Sequence, residues 1–382
     1  MNLNIWRRSL PRWIRAGSVL APVRPIVVIQ SDDWGRVGAP SSAALSEVRK
    51  AGFPVGNSPW DFYGVESADD LYELKVVLER VRDRDGAPAC MVANFILANP
   101  DLRRMGTTGW QKTHWVELKD GIPSPWIDDG LHDAYRDLIN EGVFWPALHG
   151  YTHFNDVAWS DALRHPESEL GKRVRALAEN DIPYLASLTP EFNFALAFRR
   201  GNHETFRSTT EQARWVNEGA RAFRDMFEVP AFSTCAPGYR SDLVTDHCWS
   251  RAGLRVVQTS ERCLPYYRSG MLVIPRNVFF EPVLTEEDSV ARALDAAEAS
   301  VGAGLPIVIC SHSINYIERH LGRAARGRAG LSSLLDGLMM RFPDLRFAHD
   351  KIIYGTYKMR DTRWWRKPTR DEVKSRRTHG FC

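Results

Sequence analysis

Asp32 and Asp33 follow directly on the apolar run 25–29 and the polar pair Gln30-Ser31, so two adjacent carboxylates stand at the end of what reads as a buried strand. Side by side they repel each other and lose hydration, and a bound cation or a shared proton offsets that cost. The segment His149-Gly150-Tyr151-Thr152-His153 supplies the other half of a cation site. A separation of four places both imidazoles on one side of a helical turn or tight loop. Two imidazoles and one carboxylate form the three-ligand, open-position arrangement of a catalytic divalent ion, and the remaining carboxylate is free for proton transfer. Each half has an ordinary structural explanation, since Asp is common at helix starts and an HxxxH pair is often packing. The metal reading rests on both halves following strand-like runs.

These residues resemble the motifs of the NodB-type polysaccharide deacetylases, carbohydrate esterase family 4. The family's first motif is a strand ending in T-F-D-D, matched by Gln30-Ser31-Asp32-Asp33-Trp34-Gly35. Its H-[ST]-x-x-H motif is matched at His149 and His153, with Gly150 where Ser or Thr is usual. A late strand followed by a histidine is matched by Pro306-Ile307-Val308-Ile309-Cys310-Ser311-His312, and Leu272-Val273-Ile274-Pro275 echoes a late apolar strand with Pro. The third motif, R-x-P-Y, departs: this chain reads Cys235-Ala236-Pro237-Gly238-Tyr239-Arg240, without the Arg in its place. Arg240 is the candidate to reach the same carboxylate from the other side of the turn. The gap between Asp33 and His149 is also longer than the family's.

The resemblance implies that Asp33, His149 and His153 bind the metal and that Asp32 is the base. It further implies that His312 is the acid and that the backbone N–H of Tyr239 helps hold the oxyanion. The expected reaction is removal of an N-acetyl or O-acetyl group from a sugar or glycan. Zn²⁺ suits such a ligand set best, and Co²⁺, Ni²⁺ or Fe²⁺ fit the same donors. Two other readings stand beside this one. A glycoside hydrolase would pair Asp32 with Glu191 or Glu281 but leave the His pair unused. A non-catalytic glycan-binding or assembly protein with a decayed site is motivated by the missing Arg near Ala236.

The elements that must position these groups follow from the apolar pattern. Short apolar runs recur at 26–29, 90–95, 144–148, 183–188, 231–234, 254–258, 272–274, 306–310 and 345–347, separated by segments of helical periodicity. That alternation predicts βα units around a parallel sheet. Helices are expected over 68–84, 289–303 and 331–342. The motif residues fall just past the ends of strand-like runs, the face on which a parallel barrel builds its site. The expected fold is therefore α/β, a distorted (β/α) barrel of the NodB deacetylase type over residues 26–355. Long inserted loops are expected at about 97–142 and 154–230, where Trp110, Trp115 and Trp126 would stack on sugar or fill a satellite core.

Residues 1–25 read as a basic arm carrying Arg7, Arg8, Arg12, Arg15 and Arg24, and residues 356–382 as a basic tail with Trp364-Trp365-Arg366-Lys367. The tail is a candidate for phosphate or peripheral membrane contact. A net charge of +3 over 382 residues gives no argument for nucleic acid. The first 24 residues lack a continuous apolar segment, and no run could cross a bilayer. The six cysteines are scattered without CxxC spacing, which reads as reduced thiols and a cytoplasmic setting. In that setting the expected substrate is a lipid-linked or nucleotide-linked acetylated sugar of surface-polysaccharide synthesis.

Overall fold

The structure is a computed structural model and describes residues 16–381 apart from 111, 127–129, 201–202, 286–287 and 319–321. Arg7, Arg8, Arg12 and Arg15 lie outside the described residues. Ten strands form the main sheet: β1 Ile26–Trp34, β2 Met91–Phe95, β3 Phe144–Leu148, β4 Ser233–Cys235, β5 Val256–Thr259, β6 Tyr266–Arg268, β7 Met271–Pro275, β8 Val278–Phe279, β9 Ile307–His312 and β10 Arg346–Phe347. Their order is β6-β7-β5-β4-β3-β2-β1-β9-β8, with β10 paired to the start of β1. Every pairing is parallel except β6 with β7. Among the described residues no pairing joins β6 to β8.

β1 is buried along its whole length, as expected of a parallel strand covered on both faces. Its period of two sorts the side chains. Val27 and Ile29 pack with the helices Ala68–Arg80, Leu131–Asn140 and Ala324–Arg341. Ile26 and Val28 turn the other way, against Val92, Ala147, Val256, Leu272, Ile274 and Val308 from neighbouring strands and Ile353 from the helix Asp350–Lys358. Continuing along that inner face, β1 reads Gln30 and then Asp32. The apolar filling gives way to polar groups toward the C-terminal ends of the strands.

A strict alternation would send Asp33 to the face opposite Asp32. The strand does not alternate there. Between Ser31 and Trp34 its register against β2 shifts, and Asp33 adopts φ 71°, a left-handed conformation rare for a side chain other than Asn, Asp or Gly. Such a bulge bends a strand and re-aims a side chain, which brings the second carboxylate toward the same cleft.

The helix Ala68–Arg80 opens on a capping box of Ser67 and Asp70 and buries Leu71, Leu74 and Leu78, as its periodicity predicts. Within residues 97–142, Leu131–Asn140 is the helix that leads into β3. Trp126 is core, and Trp110 and Trp115 pack on a satellite cluster around Phe154 and Trp159, so these aromatics fill space inside the protein. Residues 154–230 add the helices Asp156–Arg164 and Glu169–Ala178 and the hairpin Ala197–Arg200/His203–Phe206 before Thr209–Phe227 leads to β4.

The tail is packed. Ala21-Pro22 pairs with Trp365-Arg366, Trp365 is buried with its Nε1–H on Thr356 Oγ1 (2.9 Å), and Arg346 covers the Trp364 ring. Arg376 is fully buried and donates to the carbonyls of Ala16, Val19, Ala303 and Gly304. Trp365 and Arg376 of the tail thus pack against residues 16–22. No helix among the described residues is long and apolar enough to cross a membrane.

Candidate active site

The ends of β1, β2, β3, β4, β7 and β9 converge on one buried cleft. Asp33 Oδ1 lies 3.4 Å from His149 Nε2 and 3.4 Å from His153 Nε2, all three residues being buried. Two donors about 2.0–2.1 Å from one tetrahedral ion stand roughly 3.3–3.4 Å apart, so these separations fit a shared divalent cation. Asp33 Oδ1 is buried without a hydrogen-bond partner, a state that is costly unless something positive meets it.

The ligands are also oriented from behind. His149 Nδ1 is 2.9 Å from the Cys235 carbonyl, which can only accept, so Nδ1 carries the proton and Nε2 offers its lone pair. His153 Nδ1 is hydrogen-bonded to the Tyr184 hydroxyl (3.1 Å). Burial, with Arg36 behind it, pushes the His153 pKa well down, toward the neutral form a ligand needs. Arg36 donates to the other oxygen of Asp33 (3.0 Å) and sits against the rings of Tyr63 and Tyr184. Burial raises the Asp33 carboxyl, but Arg36 and the two histidines more than offset it, leaving the group ionised.

Asp32 is held differently. Arg276 grips it through both oxygens, Nη1 to Oδ2 at 2.7 Å and Nη2 to Oδ1 at 2.6 Å, and Asn94 donates to Oδ1 at 2.8 Å. Burial pushes its pKa up, while Arg276, His149 and His312 bring it to about 2. Beneath Arg276 lies a further polar layer. Its Nε and Nη2 donate to Gln30 Oε1 (3.0 Å) and Gln258 Oε1 (2.6 Å), and both glutamines donate to the buried carboxylate of Asp350 at 2.8 Å. Each amide is fixed by an acceptor on one side and a cation on the other, so the network orients the guanidinium and through it Asp32.

His312, at the end of β9, has Nε2 3.9 Å from Asp32 Oδ2 and Nδ1 2.6 Å from Glu281 Oε1. Asn315 donates to the other oxygen of Glu281 (2.6 Å), and the Trp60 ring meets the imidazole edge-on at 4.9 Å. Burial pushes the His312 pKa down, but Glu281 and then Asp32 raise it to about 10. The imidazole is a cation at neutral pH.

The sequence-derived candidates Asp32, Asp33, His149, His153 and His312 therefore share one cleft. Arg240 does not join them as expected. Its guanidinium pairs with Glu204 at 3.1 Å and lies against the Phe194 ring, because the 237–240 turn, with Gly238 and Tyr239 at positive φ, directs it toward the hairpin. The cation on Asp32 is Arg276, which sequence reasoning missed although it immediately follows the apolar strand Met271–Pro275. The Tyr239 N–H is also engaged otherwise: it donates to the Ala236 carbonyl at 2.8 Å. What Tyr239 brings to the cleft is its hydroxyl, which accepts from Arg276 Nη1 (2.7 Å) and lies 3.2 Å from Cys310 Sγ. Glu281 and Asp350 had no role in the deacetylase reading; Glu281 meets His312, and Asp350 meets the glutamines beneath Arg276, partners that only the folded sheet brings near.

Two other clusters of metal-ligating types, Asp32/His149/Cys235 and Glu281/Cys310/His312, occur among the described residues. In the first, Asp32 spends both oxygens on Arg276. In the second, Glu281 and His312 satisfy each other. Of these three clusters among the described residues, Asp33, His149 and His153 alone combine a carboxylate oxygen without a hydrogen-bond partner with two imidazole nitrogens facing it.

No family model and no curated protein matches the chain. Solved structures similar to it include the chitin deacetylase of the fungal pathogen Colletotrichum lindemuthianum (11% identity over 92% of this chain and 96% of that one, TM-score 0.40). A family 4 carbohydrate esterase from Streptomyces lividans is 10% identical over 85% of this chain and 92% of that one, with a TM-score of 0.34. A 4-alpha-glucanotransferase from Thermococcus litoralis is 10% identical over 89% of this chain and 41% of that one, with a TM-score of 0.42.

Proposed function

We propose that the chain is a metal-dependent hydrolase that removes an N-acetyl or O-acetyl group from a sugar or glycan, on a distorted barrel of the deacetylase type. The observation that carries this reading is the division of labour around one cleft. An unpartnered Asp33 oxygen faces two histidine nitrogens, while a second carboxylate, Asp32, is held ionised and a histidine, His312, is held protonated. Two titratable groups set apart by their surroundings are the mark of an acid–base pair.

Asp33, His149 and His153 would hold a divalent ion such as Zn²⁺, which would supply polarisation of the acyl oxygen and acidification of water. Asp32 takes the proton from the attacking water. The 2.7 and 2.6 Å contacts from Arg276 fix the direction of its lone pairs, and Asn94 prevents rotation. His312 gives its proton to the leaving nitrogen or oxygen, and Glu281 keeps that proton in place until the bond breaks. A two-carboxylate glycosidase would leave the His149/His153 pair, and the Asp33 oxygen that faces it, without a role.

The reading is tested by acetate release from a panel of acetylated amino sugars, free, nucleotide-linked and lipid-linked, with and without added Zn²⁺. His149→Ala and His153→Ala are expected to remove most bound metal and with it acetate release. Stoichiometric metal in the double variant, by elemental analysis, would overturn the ligand assignment.

The pH profile checks the acid. Because Glu281 raises His312 above its ordinary value, the group is protonated below about 10 and the rate should fall only as pH rises through that region. Glu281→Gln removes the opposing charge, lowers the His312 pKa and brings the alkaline limb of kcat toward neutrality, while metal content stays at one. An unmoved alkaline limb would separate His312 from the acid role.

A further inference from the structure

We propose that the exposed part of the C-terminal segment is a docking surface for an anionic lipid bilayer, at the end of the protein opposite the catalytic cleft. The inference stands apart from the reaction assigned to that cleft.

Charge is divided unevenly along the chain. Residues 356–382 carry nine Lys and Arg against three acids, so the rest of a chain of net charge +3 carries net −3. Folding neutralises only part of the basic excess. Arg363 pairs with Asp361, Arg366 pairs with Glu372, and Arg376 is occupied by backbone carbonyls. Lys358, Arg360, Lys367, Arg370, Lys374 and Arg377 are exposed. None of these six forms an ion pair with a carboxylate among the described residues.

The helix Arg370–Thr378 arranges the excess on a fixed support. Its start is capped by Thr369 and Glu372, Val373 packs on the cluster of Ala16, Val19 and Leu305, and Arg376 is buried. Arg370, Lys374 and Arg377 follow one another at spacings of four and three, which puts them on one side of the helix, and Lys367 precedes them. Such a cluster of cations on a partly buried helix suits anionic head groups.

Lipid fits this surface better than nucleic acid. The two tail tryptophans would be platforms for stacked bases, but Trp365 is buried with the Tyr357 ring edge-on at 4.9 Å, and Trp364 lies under Arg346. What the segment exposes instead is Met359, 72% accessible, between Lys358 and Arg360. An apolar side chain flanked by cations can enter the head-group layer while the charges stay among phosphates.

The location sets the orientation. Arg376 holds the carbonyls of Ala303 and Gly304, just ahead of β9, and the Ala21-Pro22 pair that binds Trp365-Arg366 lies just ahead of β1. Asp32, Asp33 and His312 stand at the far ends of those same two strands. A bilayer met through this surface leaves the cleft facing water, and the net negative remainder of the chain opposes docking by other faces.

Sedimentation of the full chain with phosphatidylcholine vesicles, with and without phosphatidylglycerol, tests the proposal. Expected are binding to the phosphatidylglycerol vesicles alone and its loss as NaCl rises. Replacing Lys367, Arg370, Lys374 and Arg377 together by Gln should weaken that binding at least about tenfold, since each cation near such a surface contributes roughly fivefold. The melting temperature should stay that of the parent; if it falls, Lys374→Gln and Arg377→Gln are measured singly, each expected to weaken binding roughly fivefold. Met359→Ser keeps every charge and should weaken vesicle binding without changing its dependence on NaCl. Equal binding to the two kinds of vesicle, none to either, or Gln variants that bind as the parent does would overturn the proposal. Unchanged affinity in Met359→Ser, or displacement of the protein from vesicles by a short DNA duplex at equal phosphate concentration, would overturn the lipid assignment. A parent that docks yet releases no acetate from any acetylated sugar counts against the deacetylase reading alone.

Discussion

Asp32→Asn is expected to lower turnover by roughly 10²–10⁴, the range for loss of a positioned general base, with bound metal unchanged. Asp33→Asn is expected to lose the metal first and turnover as a consequence. The two residues are neighbours in sequence, yet the structure gives them different partners: Arg276 and Asn94 on Asp32, His149, His153 and Arg36 around Asp33. An amide at position 32 cannot take a proton from water but does not touch the three ligand atoms. At position 33 an amide oxygen is a neutral and weaker donor, and it leaves Arg36 facing no charge. Metal analysis and acetate release on the same preparations separate the outcomes. Equal metal loss in both variants would make the pair a joint ligand and move the proton acceptor elsewhere.

Much of this arrangement was legible in the sequence because it is carried by local rules. A run such as Ile26-Val27-Val28-Ile29 is too apolar for a surface strand, and groups just past its end lie on the active face of a parallel sheet. That argument located Asp32, Asp33 and His149, the spacing of four located His153, and His312 was singled out by its resemblance to the family's late-strand histidine. It could not find Arg276 as the partner of Asp32, since their separation of 244 positions is bridged only when β7 and β1 turn their ends to the same cleft. Nor could it find Glu281 beside His312, which depends on β8 pairing with β9. Arg240 went astray for a local reason: direction after a turn depends on backbone dihedrals, and positive φ at both Gly238 and Tyr239 reverses the course an extended chain would have taken. The order of the strands was likewise outside the reach of pattern, because periodicity shows that a strand is buried on both faces but not which strands are its neighbours.

The exchange of Arg240 for Arg276 has consequences that differ in size as well as place. In Arg276→Met the carboxylate of Asp32 stays buried without its counter-charge, and breaking a buried pair from one side costs about 3–5 kcal/mol. The pH dependence follows from the sign of the shift. In the parent the folded pKa of Asp32, about 2, lies below its ordinary 3.8, so this group's stabilisation is present above the ordinary value and lost as pH falls through about 2. Without Arg276, burial dominates and the folded pKa rises. The variant then takes up a proton on folding, and its deficit against the parent should be largest near neutrality and narrow as the medium is acidified. The acidic limb of the rate profile should move up with it, since the base must be ionised to act. Arg240→Ala is the control: its pair with Glu204 is about one-third exposed and is worth at most about 1 kcal/mol, so neither stability nor the acidic limb should shift appreciably. Denaturant unfolding of the parent and both variants at pH 7 and pH 5, with kcat measured across the acid range, reads both effects. If the acidic limb followed Arg240 and ignored Arg276, the guanidinium that holds Asp32 in the working enzyme would not be the one that β7 delivers.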